Sequence, residues 1–76
     1  MYELIVLDKN GVRVTGENKK VKSFACRLDV YGGYNLLITE LNSRTYRYSG
    51  VVGFVCENNF VVIKTSKYTL IFIKGG

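Results

Sequence analysis

The apolar and polar positions of this chain fall into short runs separated by Gly, Asn, Asp and Ser. The runs "YELIVLD", "YNLLITEL", "RTYRYS", "GVVGFVC", "FVVIKT" and "YTLIFIK" are rich in β-branched and aromatic residues. They are too short for helices and predict strands. Asn10-Gly11, between the first run and "VRVTG", is the strongest short hairpin signal and suits a two-residue type I′ turn. That register sets Asp8 opposite Arg13 as a cross-strand charge pair, with Leu7 opposite Val14 on the other face. Two-residue loops at Asn58-Asn59 and Ser66-Lys67 set Ile63 opposite Leu70 and Val61 opposite Phe72 on one face. On the other face they set Val62 opposite Ile71 and Phe60 opposite Ile73.

Residues 18–31 admit two readings. Val21, Phe24, Ala25 and Leu28 recur at helical spacing, with Asn18 as an N-cap and Gly32 as a helix-ending glycine. Yet Phe24, Cys26, Leu28 and Val30 alternate with Ser23, Ala25, Arg27, Asp29 and Tyr31, which is strand periodicity. Most of these residues are indifferent helix formers. Gly32-Gly33 also serves as a hairpin turn, setting Tyr31 opposite Tyr34, Leu28 opposite Leu37 and Phe24 opposite Leu41. The strand reading is preferred, and an internal echo supports it. "VKSFAC" (21–26) and "VVGFVC" (51–56) match at three of six positions, and the second copy, with its valines and Gly53, does not read as helix. Coincidence in a Val-rich chain is the alternative to a duplication.

The stretches "LIVL" (4–7), "FVVI" (60–63) and "LIFI" (70–73) are apolar without a break, so both faces of their strands are apolar. A sheet with one wet face alternates instead. A chain of 76 residues has little material to cover two faces. A second subunit or a partner protein is the simplest cover, because large exposed apolar patches are rare on monomers. The expected architecture is a single all-β domain over residues 1–76, a small antiparallel barrel or sandwich of six to seven short strands. A homo-oligomer interface is expected at Phe60, Val62, Ile71 and Ile73. The alternative is an α+β, β-grasp-like fold in which a helix near 18–31 does the covering.

Composition narrows the function. Eleven Lys/Arg against six Asp/Glu give a formal charge of +5, which raises the odds of a polyanionic partner. The charges are scattered, and only "ENKKVK" (17–22) approaches a cluster. Histidine is absent, the carboxylates stand alone, and no Gly-rich loop opens a helix. No catalytic residue, metal site or cofactor is therefore assigned. Cys26 and Cys56 form neither a disulfide framework nor a zinc spacing, and they read as reduced, buried, small apolar residues. With no leader and no long apolar run, a cytoplasmic protein without membrane contact is expected. Lys- and Asn-rich usage without Pro, His, Trp or Gln fits an AT-rich coding sequence and a phage or plasmid origin.

The run "RTYRYS" carries the chemistry that remains. On a strand Arg44, Tyr46 and Tyr48 share one face, making a flat aromatic platform beside a cation, and Arg47 lies on the other. Tyrosines and arginines are common hot spots at protein interfaces. The same residues can stack unpaired bases and hold phosphates, with Lys64 and Lys67 adding charge if their hairpin lies near. Aromatic residues also simply favour strands, and arginines keep an edge soluble.

Two resemblances follow from particular residues. The chain length, the opening hairpin and the closing Lys74-Gly75-Gly76 resemble ubiquitin, which implies a β-grasp fold and a conjugated Gly-Gly tail. Residues 36–75 are similar to Sm-like proteins through Gly50, Gly53-Phe54, Asn59 before "FVVI", and Ile73-Lys74-Gly75. That resemblance implies a five-stranded barrel in an RNA-binding ring, with Asn59 and Lys74 near the RNA. It departs at Val55, where the Sm-like pattern has an acidic residue. The expectation is a non-enzymatic interaction or assembly module, a homo-oligomer that binds a partner protein. The alternative is single-stranded nucleic acid, RNA or DNA, bound through the Arg/Tyr strand.

Overall fold

The computed structural model describes residues 1–14 and 19–75. Glu17 and Asn18, the first two residues of the "ENKKVK" cluster and the second of them the proposed N-cap, lie outside the described residues, as does Gly76. Seven strands form one antiparallel sheet: β1 (Tyr2–Asp8), β2 (Lys19–Leu28), β3 (Tyr34–Glu40), β4 (Thr45–Tyr48), β5 (Val51–Cys56), β6 (Phe60–Thr65) and β7 (Tyr68–Lys74). The all-β expectation holds. Among the described residues there is no helix, so none is long and apolar enough to cross a membrane. Residues 19–28, most of the 18–31 stretch open to a helical reading, are strand β2, which removes the β-grasp alternative. The strand count also exceeds the five that the Sm-like resemblance implies.

The order across the sheet is β4-β3-β2-β1-β7-β6-β5, and every pairing is antiparallel. Directions alternate along that order, so β4 and β5, at its two ends, run the same way. Only Ser49 and Gly50 separate them in the chain. They are one strand, kinked, whose first half pairs with β3 and whose second half pairs with β6. Strands that change partners at such a bend make the corners of small curled sheets. Gly50 takes a left-handed backbone (φ 75°), and its carbonyl accepts a 3.2 Å bond from the Ser66 N–H. The sheet curls until β3 comes up against β5, but those two strands do not pair, and no barrel closes.

The concave face holds the core. Leu4, Val6, Val21, Leu36, Ile38, Ile63, Leu70 and Phe72 are buried there. Phe24 stacks on Phe72 with centroids 4.0 Å apart, and Tyr2 meets Phe24 edge-on at 5.0 Å. The loops at Asn58-Asn59 and Ser66-Lys67 have the expected registers. Val62 pairs with Ile71, Phe60 with Ile73, Ile63 with Leu70 and Val61 with Phe72. These strands are apolar on both faces, as their sequence requires.

The hairpins at Asn10-Gly11 and Gly32-Gly33 differ from expectation in one consistent way. Gly11 N–H bonds the Asp8 carbonyl and Asp8 N–H bonds the Val12 carbonyl, so the loop is Lys9-Asn10-Gly11, with Gly11 left-handed (φ 80°). Three residues replace the expected two. Leu7 therefore faces Arg13, and the Asp8–Arg13 charge pair does not form. The Asp8 carboxylate instead accepts the N–H groups of Asn10 and Val12, at 2.8 and 3.0 Å. The β2–β3 loop repeats the pattern, Asp29 to Gly32 (φ 89°), which sets Leu28 opposite Tyr34 rather than Leu37. The β3–β4 loop repeats it again, from Glu40 to Ser43 (φ 70°). Each is a three-residue loop closed by a left-handed residue, the next most common hairpin after the two-residue turns.

Candidate functional site

The kink at Ser49-Gly50 leaves a seam where the two ends of the sheet meet, and each half of the seam is a cleft. Where β4 leaves its free edge towards the β6–β7 turn, a cleft of about 310 Å³ is lined by Arg47, Tyr48, Ser49, Gly50, Thr65, Ser66, Lys67 and Tyr68. Where β5 leaves its free edge towards the β2–β3 hairpin, a cleft of about 300 Å³ is lined by Cys26, Tyr34, Val51, Val52, Gly53 and Phe54. The first is polar and cationic. The second is apolar and carries no charged side chain.

The apolar cleft is an unfinished part of the core. Cys26 pairs with Leu36, Leu28 with Tyr34, Phe54 with Ile63 and Cys56 with Val61, so all belong to concave-face rows. Nevertheless Leu28 (66%), Tyr34 (53%) and Phe54 (68%) are exposed, as are both cysteines. Val30 and Tyr31 at the hairpin tip and Val52 on β5 extend the patch. The cysteines are free, but the expectation that they are buried fails because the sheet does not close over them. Partial burial still pushes the Cys26 thiol up, which keeps it protonated and a poor nucleophile.

The internal echo reappears here as geometry. The β2–β3 ladder slips between Val21 and Ser23, and the β5–β6 ladder slips between Val51 and Gly53. Each copy thus opens with a β-bulge and then turns its Phe and Cys to the concave face. Phe24 stacks on Phe72, whereas no aromatic ring among the described residues meets Phe54.

The Arg/Tyr strand is arranged differently from a stacking platform. Tyr46 and Tyr48 turn inwards against the core and are half-buried. Their rings lie 5.9 Å apart at 64°, and Tyr48 meets Tyr68 at 5.7 Å and 78°. The flat platform is therefore absent. Lys19 Nζ sits 5.0 Å from the Tyr46 ring centre and 3.1 Å from a Glu40 carboxylate oxygen. Its bond to Glu40 raises the Lys19 pKa, while burial raises those of Tyr46 and Tyr48. Arg44 and Arg47 are exposed. The β6–β7 hairpin brings Lys67 to Arg47 and Tyr48 in the polar cleft, but Lys64 lies on the convex face opposite Thr69 and Gly53.

The expected oligomer residues form one convex block, with Phe60 beside Ile73 and Val62 beside Ile71. Ile5 on β1 and Val55 on β5 extend the second row. Val62, Ile71 and Ile73 are only half-exposed, since each row screens its neighbours. Sequence reading missed Leu28, Tyr34, Val52 and Phe54. The one available signal was "VVGFVC", which is apolar at every position that carries a side chain. Among the described residues no cluster of His, Cys, Asp and Glu could hold a metal ion. No protein-family model matches the chain, and neither curated proteins nor solved structures give a significant match.

Proposed function

We propose that the protein is a non-enzymatic assembly module whose first partner is a second copy of itself, docked on β5 and the tip of the β2–β3 hairpin. The observation that carries this reading is Phe54, which occupies the place Phe24 fills in the other bulged hairpin but is 68% exposed. Three further points support it. A chain of charge +5 repels its own copies, and the cleft at the centre of this patch, lined by Cys26, Tyr34 and residues 51–54, carries no charged side chain. A stable interface takes about 800 Å² from each partner. Leu28, Val30, Tyr31, Tyr34, Val52 and Phe54 supply area of that order, three of them aromatic rings that can each bury about 150–250 Å². Finally, β5 has an unpaired edge, and a two-fold axis presents a second β5 in the antiparallel sense that edge pairing uses.

Further partner proteins would then meet the assembled form. A single strand of nucleic acid on the Arg44–Tyr48 strand loses its aromatic half, because Tyr46 and Tyr48 are packed inwards. The test is light scattering across a concentration series. The wild-type chain is expected at twice its 8.6 kDa mass, and Phe54→Glu at the single mass with unchanged circular dichroism. A wild-type monomer at hundreds of micromolar would sink the reading. A dimer that survives Phe54→Glu but not Val55→Lys would move the interface to the convex block.

A further inference from the structure

We infer that the polar half of the seam binds an oxyanion of the phosphate class, independently of self-association. The lining is a set of donors without a carboxylate: the Arg47 guanidinium, the Lys67 ammonium and the hydroxyls of Ser49 and Ser66. Neither Arg47 nor Lys67 pairs with an acid among the described residues, where Lys19–Glu40 is the ion pair. The neighbouring hollow shares Lys67 and Tyr68 and adds Lys9 and Asp8. Asp8 Oδ1 accepts the Asn10 and Val12 N–H groups, and the carboxylate forms no ion pair with Lys67.

The Thr65 hydroxyl and the Ser66 N–H are already engaged. Thr65 Oγ1 accepts from the Lys67 and Tyr68 N–H groups and donates to the Tyr68 carbonyl, and the Ser66 N–H is bound to Gly50. The free donors therefore converge from three places: β4, the kink and the β6–β7 turn. Gly50 is favoured by its left-handed backbone (φ 75°), and a Cβ there would only touch Ser66 Oγ, at 3.4 Å. Two cations and two hydroxyls match an anion with several acceptor oxygens better than a carboxylate or halide. At about 310 Å³ the cleft is at the small end of ligand sites, enough for a phosphate and the small group that carries it. The Tyr48 and Tyr68 rings give that group an apolar wall. The phosphate can be that of a free phosphorylated metabolite or of a single-stranded nucleic acid, the chemistry being shared.

The test is a ¹⁵N-edited NMR titration of the intact chain with inorganic phosphate. Saturable shifts are expected at the amides of residues 47–50 and 65–68. Arg47→Gln and Lys67→Gln should each weaken binding about tenfold, the loss of one charge-assisted hydrogen bond. Lys64→Gln, on the convex face, should leave it unchanged. Repeating the titration on Phe54→Glu keeps the site separate from assembly. A nucleoside monophosphate and a single-stranded oligonucleotide then distinguish the sources: affinity that grows with strand length and falls steeply with salt identifies the strand, and affinity independent of length identifies the small molecule. Shifts spread equally over Lys9, Lys20 and Lys64, or unchanged by Arg47→Gln and Lys67→Gln, would overturn the site.

Discussion

Ser43 is the one described residue other than glycine with a left-handed backbone, at φ 70°. It occupies the position that Gly11 and Gly32 hold in the two sister loops. A side chain there costs about 1–2 kcal/mol, partly offset by the lower unfolded-state entropy of serine. Ser43→Gly should therefore stabilise the fold by about 0.5–1 kcal/mol, seen as a higher urea midpoint at unchanged slope. The loops also show what was legible at this scale. Asn10-Gly11 marked a turn correctly, but its length was set by Asp8, whose side chain caps the loop from outside the dipeptide. The repeated acid-x-x-Gly/Ser spacing at 8–11, 29–32 and 40–43 was present in the sequence and carries the true register. Titration adds a second residue-scale consequence. Lys19, Tyr46 and Tyr48 all hold their protons more tightly when folded. Their stabilisation is complete below about pH 10 and is lost as pH rises through the raised values. Absorbance at 295 nm should show two phenols ionising above the usual tyrosine range, together with loss of the folded circular dichroism. Tyr48→Phe, which keeps the ring and removes the proton, should lessen that alkaline loss.

Among elements, the two bulged hairpins offer a direct contrast. Phe72→Ala or Phe24→Ala removes half of a stacked pair beneath β2, and such truncations cost about 3–5 kcal/mol. A domain of 76 residues has about 4–11 kcal/mol in total, so Phe72→Ala should remove a large share of the stability and lower the urea midpoint sharply. Phe54→Ala, equivalent by position, should change the dilute monomer by no more than about 0.5 kcal/mol. Chemical denaturation at low concentration measures both, and equal costs would mean that Phe54 is packed after all. The echo in the sequence predicted two strands and delivered them. It said nothing of the bulges or of the difference in cover, because cover depends on which element arrives opposite. The registers of β6 with β5 and β7 were legible because two-residue loops and unbroken apolar runs left one consistent pairing.

For the molecule as a whole, excess apolar surface was legible and its location was not. Continuous runs such as "LIFI" announced two apolar faces, and the convex block of Phe60, Val62, Ile71 and Ile73 is where they lie. The larger exposure lies in the seam, which exists because the chain kinks at Ser49-Gly50 and takes β5 away from β3. No local pattern encodes where two distant sheet ends will meet. One contact across the middle of the sheet has its own consequence. The Gly75 N–H donates to the Met1 carbonyl at 3.0 Å, beside the β1–β7 ladder. Followed from β5, the strand order becomes β5-β6-β7-β1-β2-β3-β4, a meander in which each strand pairs only with its successor. A circular permutant that joins residue 75 to residue 1 through a short Gly/Ser bridge and opens between Ser49 and Gly50 would turn the β1–β7 pairing, the most distant in sequence, into a local hairpin. Its contact order falls, so stopped-flow refolding should be faster, by about tenfold or more. Slower refolding would mean that the kink, rather than the β1–β7 ladder, organises the transition state.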